Sequence, residues 1–144
     1  MNNRIDSLSD GVASLVEQVP EPDIPGCCHM LSIAALSVVG YSAPEVDDAL
    51  AELRDRGTVA KSTCLTLNAL LAQRQQAGWV AGRRGDSAAR EKAFFEARAL
   101  SCAAYAVGAI GGTPRERLRE AAYEATAAFR GTPAVVDVLS RYTA

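Results

Sequence analysis

Cys27, Cys28 and His29 stand side by side in PDIPGCCHMLS, residues 22–32, directly after a Pro-Gly pair, and His29 is the only histidine of the 144-residue chain. A thiol in the first turn of a helix meets unpaired backbone amides and the positive end of the helix dipole, which stabilise the thiolate and raise its reactivity. That chemistry makes Cys28, or its neighbour Cys27, a candidate nucleophile with His29 as a proton partner, although adjacent helical residues point about 100° apart. The same residues also read as the buried start of a core helix. Unpaired cysteine is among the most buried residue types, and the stretch that follows is apolar nearly all round. A metal centre needs three or four converging ligands. One vicinal pair, one histidine and the distant Cys64 and Cys102 have neither CxxC nor HxxxH spacing, so no metal and no other cofactor is expected.

A second constellation, Trp79 with Arg83 and Arg84 in WVAGRRGDS, combines an aromatic ring with two planar cations. Exposed together, these residue types make a protein-binding hot spot; alternatively Trp79 caps the bundle and the arginines are simply solvated. Motifs for other chemistry are missing: there is no GxxxxGK, no GxSxG and no HExxH.

The elements that must position these residues read as helices throughout, because no segment alternates with period two. Seven are expected, near residues 7–19, 27–39, 43–56, 58–77, 87–109, 114–129 and 134–142, in one compact all-α domain spanning 1–144. Three prolines in VPEPDIPG imply an extended link before the second helix. Ser42 with Glu45, and Thr113 with Glu116, have the spacing of capping boxes. Gly40, Gly57 and Gly78 read as helix stops, and WVAGRRGDS as the longest loop. One face of the fifth helix carries Ala93, Ala97, Ser101, Ala104 and Gly108. Side chains that small allow a second helix to approach closely, which suggests a homodimer through residues 87–110.

Two stretches resemble known families. GCCHMLSIAALSVVGYSAPEVDDAL, residues 26–50, resembles the signature hairpin of the carboxymuconolactone decarboxylase and alkylhydroperoxidase D group, a CxxCxxxH helix followed by an alanine-rich turn, a glycine and a Ser-x-x-Glu helix start. Counting back from Gly40, the resemblance places Cys28 on the reactive cysteine. Pro25 replaces the first cysteine and Ser32 the histidine, which removes the dithiol relay and implies a lone nucleophile. LNALLAQRQQAGWVAGRRGD resembles the recognition helix, aromatic-valine step and wing of winged-helix regulators. Residues 43–77, which would hold both DNA-facing helices, carry five acids and four bases, so the excess positive charge that phosphate binding requires is missing.

Composition bounds the rest. With 49% hydrophobic and 22% charged residues the chain is ordinary globular protein, and a net charge of −2 leaves no nucleic-acid footprint. Thirteen of the fifteen basic residues are arginine, a bias that resembles high-GC bacterial coding. MNNRIDSLSD is too polar for a signal peptide, and no apolar run is read as reaching the roughly 18 residues of a membrane span. A cytoplasmic protein with four reduced thiols and no membrane contact is therefore expected. These readings favour a protein that acts by association, as an accessory, adaptor, inhibitor or immunity-type protein. A small cysteine-dependent enzyme or ligand-binding protein using Cys28, with its pocket between the second, fourth and fifth helices, is the alternative, and a winged-helix-like regulator the third.

Overall fold

The computed structural model describes residues 4–143. These described residues are all-helical, 79% of them in helix and none in a strand. A single 3-10 turn over Arg4–Ser7 precedes α1 (Val12–Gln18), α2 (Ile24–Val39), α3 (Pro44–Arg56), α4 (Lys61–Arg83), α5 (Ser87–Ala106), α6 (Pro114–Phe129) and α7 (Pro133–Ser140). Helices α2, α5 and α6 pack on one another as the centre; α1 and α7 close one side, and α4 lies along the outside of α5 with α3 bridging it to α2.

The departures from the sequence reading have local causes. The first helix, expected over 7–19, is interrupted where Asp10 and Gly11 take positive φ of 63° and 73°, a left-handed pair that no right-handed helix can include. The Thr132 hydroxyl donates to the Asp10 carboxylate and ties this turn to the start of α7. The prolines before α2 do not hold the chain extended: a 3-10 turn over Glu21–Asp23 leads straight into a helix with Pro25 in its first turn, where a missing N–H costs nothing. The Ser42–Glu45 box does not form, because Pro44 takes the first helical position and makes Ala43 the cap. Thr113, directly before Pro114, is in the right place, and its box with Glu116 closes reciprocally at 3.2 Å in both directions. The fifth helix stops at Ala106, short of 109, and Gly108 turns the chain at a φ of 82°.

The largest correction concerns α4, which runs through Gly78 and Gly82 to Arg83 and absorbs most of the expected loop. A Cβ placed on Gly78 would stand 3.4 Å from the Ala93 Cβ, so this glycine serves helix contact and not helix termination. Glu21–Val39 is also long and apolar enough to cross a membrane by length and composition, contrary to the sequence reading. Its residues Cys27, Cys28, Leu31, Ser32, Ala35 and Leu36 are buried, which is the reason a central helix must be apolar.

Candidate functional site

The first candidate, the cysteine pair, sits deeper than a reactive thiol should. Because α2 begins at Ile24, Cys27 and Cys28 fall on its fourth and fifth positions, past the open amides of the first turn. Cys27 is 0% and Cys28 2% exposed, so both thiols are shut off from solvent. Burial pushes the Cys27 thiol up to about 12, and pushes Cys28 up strongly as well. Low dielectric surroundings penalise the thiolate more than the helix dipole favours it. Across the core, Cys102 is also fully buried and is pushed up to about 12; it lies 3.8 Å from the hydroxyl of Ser32, which itself donates to the Cys28 carbonyl at 2.8 Å.

His29 follows Cys28 on the same helix and is buried. Arg54 and Asp55, at the C-terminal end of α3, are the charges that act on it, and burial lowers its pKa. Among the described residues no hydrogen bond joins His29 to Cys27 or Cys28. Among the described residues no group of three His, Cys, Asp or Glu converges as a metal site.

Cys28 nevertheless forms part of the wall of a cavity of about 550 Å³. Apolar groups dominate its lining, including Ile24, Leu53, Val59 and Val107, and Cys64 faces it from α4. The Cys64 thiol donates to the Val107 carbonyl at 3.5 Å and the Asn68 amide to the Ala109 carbonyl at 3.1 Å, which pins the end of α5 to α4. Lys61 and Arg117 are the charged residues that line it.

The second candidate is brought together by α4 and α5. Trp79 lies on α4, not in a loop, and is 60% exposed; Arg83, one turn later, stacks on its ring at 4.8 Å. Arg84 follows at the C-terminal cap of the helix and does not join this stack. Facing Trp79 across a groove of about 440 Å³ is Phe94 of α5, 48% exposed, a residue that sequence reasoning missed. The signal was available, since Phe94 departs from the small-residue face to which Ala93 and Ala97 belong. Both alanines are buried, Ala93 against Gly78 of α4, so this part of the face is used within the chain.

Arginines dominate the charge of the groove. Arg74, Arg90 and Arg98 line it with one acid, Glu124. Glu124 is itself engaged by Arg98 at 2.8 Å and by Arg4 at 3.1 Å. Arg74 reaches buried Glu96 through Nη1 at 3.5 Å, while its Nε is buried without a hydrogen-bond partner among the described residues. A buried donor left unpaired costs free energy until an acceptor arrives. The stretch compared with a winged-helix step and wing is here continuous helix to Arg83, so it lacks the strands such a wing is built from.

No protein-family model, curated protein or solved structure matches this chain.

Proposed function

We propose that this protein acts by association and that the α4–α5 groove receives an acidic amphipathic helix of a partner protein. One observation carries the reading: an exposed tryptophan and an exposed phenylalanine flank a groove whose arginines include a buried, unsatisfied donor. Aromatic and arginine side chains at the centre of a patch are the usual anchors of protein interfaces, and a helix laid into an apolar groove is read by residues at i, i+3, i+4 and i+7. The charge selects the occupant. Arg74 and Arg98 already have acidic partners, so the charge a partner meets is that of Arg90 and the open Arg74 Nε. Two copies meeting through this groove, as a homodimer through residues 87–110 would require of Phe94 and Arg98, add no acid there, whereas a glutamate-rich helix does. Burial of the thiols supports a non-catalytic role, and four free cysteines suit a reducing compartment such as the cytoplasm.

Trp79, the single tryptophan of the chain, reports on the groove directly. A synthetic helical peptide with leucine at i, i+3, i+4 and i+7 and glutamate elsewhere should shift its fluorescence to the blue, saturate at one peptide per chain and weaken as salt is raised. Phe94→Ala should weaken this binding at least tenfold. Absence of a shift, or equal binding of the lysine counterpart of the peptide, overturns the reading. Salt-dependent binding of duplex DNA instead would favour a regulator, and concentration-dependent dimerisation abolished by Phe94→Ala would favour the homodimer.

A further inference from the structure

The cavity beside Cys28 carries a separate inference. It lies at the other end of α4: from Lys61 to Trp79 is 18 residues, or about 27 Å of helix at 1.5 Å per residue. Its volume, about 550 Å³, falls within the range of sites that enclose small organic ligands. The walls come from α2, the end of α3 and the α3–α4 link, α4, the end of α5 and the start of α6.

The charged residues that line this cavity have one sign, although Glu52, outside the lining, also acts on Cys64. No carboxylate lines it, while Lys61 and Arg117 both do. Arg117 is held from behind, its Nη1 donating to the Gly112 carbonyl at 2.8 Å. It forms no ion pair among the described residues, is half-buried, and its guanidinium carbon lies 3.7 Å from where a Cβ on Gly108 would stand, beside another residue of the same wall. Lys61, at the first position of α4, is exposed at the mouth with Gly57 and Thr58. Glu52, the acid close to this link, is already occupied by the Ala60 N–H at 2.7 Å and the Thr63 hydroxyl at 3.5 Å. A guanidinium oriented by one bond still has donors left for a carboxylate, which it engages two at a time.

We infer that this cavity binds a small apolar monocarboxylate, its hydrocarbon part against Ile24, Leu53, Val59 and Val107 and its carboxylate on Arg117, with Lys61 attracting the anion to the mouth. An acid of this kind satisfies both features at once, since apolar walls exclude water and strengthen the single charge pair inside. Cys28 contributes a wall, not a nucleophile.

Decanoate is the probe, with decanol and decylamine as the uncharged and oppositely charged analogues of the same length. Calorimetric titration of the intact protein should give one saturable decanoate site, binding at least tenfold weaker for decanol and none for decylamine. Arg117→Met should remove the preference for decanoate over decanol, and Arg117→Lys should keep part of it. Decanoate should also slow alkylation of Cys64, which lines the same cavity, while leaving Trp79 fluorescence unchanged, so this result and the groove reading fail independently. Equal binding of decanoate and decanol, no saturable decanoate binding up to millimolar concentration, or an unchanged preference in a folded Arg117→Met protein each overturn the inference. If that variant does not fold, the three-ligand comparison with the wild-type protein and with Lys61→Met, which should weaken decanoate alone, decides it.

Discussion

Gly78 and Ala93 bring the backbones of α4 and α5 together: a Cβ on Gly78 would stand 3.4 Å from that of Ala93, and one on Gly82 would meet only the flexible side chain of Arg90, at 3.3 Å. The two glycines therefore differ in what they can accept, although both cost helix stability relative to alanine. Gly82→Ala should stabilise the protein by about 0.5–1 kcal/mol, because Arg90 can swing aside and the unfolded chain loses freedom. Gly78→Leu should destabilise it by about 1–3 kcal/mol by forcing the helices apart. Urea unfolding of the two variants checks the opposite signs, and Trp79 on the same helix gives a signal for both.

The buried thiols predict an alkaline limit to stability. Cys27 and Cys102 are pushed up to about 12 by burial, whereas in the unfolded chain thiols titrate near about 8.5. Above that value the unfolded state binds fewer protons than the folded state, so stability must fall as pH rises. The contribution is fully present below about pH 8 and is lost progressively toward pH 12, at a limiting slope of about 1.4 kcal/mol per pH unit for each thiol. Unfolding free energies measured from pH 7 to 11 should decline less steeply in Cys102→Ala than in the wild-type protein, with parallel curves as the refuting result.

Serine in place of either vicinal cysteine should be costly to a similar degree. Both thiols are shielded from water, so a hydroxyl at position 27 or 28 loses its hydration without an assured partner, at about 1–3 kcal/mol. Melting of Cys27→Ser and Cys28→Ser proteins checks this. A Cys27→Ser protein as stable as wild type would mean that position 27 reaches solvent after all.

Glu124 joins three parts of the chain, since Arg4 and Arg98 both pair with it and Arg4 also pairs with Glu120 and stacks on Tyr123 at 4.3 Å. Glu124→Ala leaves Arg98 without its ion-pair partner. It should cost about 3 kcal/mol, the low end for a broken buried pair because both arginines keep part of their surface in water. Loss of hydrogen-exchange protection in the Arg4–Ser7 turn should accompany it, and retained protection there would show that Arg4 anchors the turn without its ion pairs.

Arg115 provides the matching anchor for α1. Its Nη1 donates to the carbonyls of Val16, at 2.8 Å, which also accepts the Val19 N–H, and of Val19, where that helix ends. Arg115→Met keeps the aliphatic stem and removes the donors, so α1 should become labile to limited proteolysis at a cost of about 1–3 kcal/mol. An unchanged cleavage rate would show that Val12 and Val16 hold α1 by burial alone.

What the sequence by itself determined is what depends on neighbours along the chain. Helical periodicity without alternation set the all-α class, and Thr113, Pro114 and Glu116 defined the start of α6 because a capping box is closed within four residues. The apolar surround of Cys28 made burial legible in the same way. Only the tertiary structure decided what depends on residues far away. Whether Gly78 ends a helix or admits α5 rests on Ala93, fifteen residues later, and that one decision moved Trp79 from a loop to a helix face opposite Phe94. Whether Arg117 is a solvated surface charge or the cation of a cavity rests on the ends of α3 and α5 closing around Cys28 and Cys64. Periodicity reports which face of a helix turns inward, and it contains nothing about which helix will be met there, because that is set by packing among elements distant in the chain.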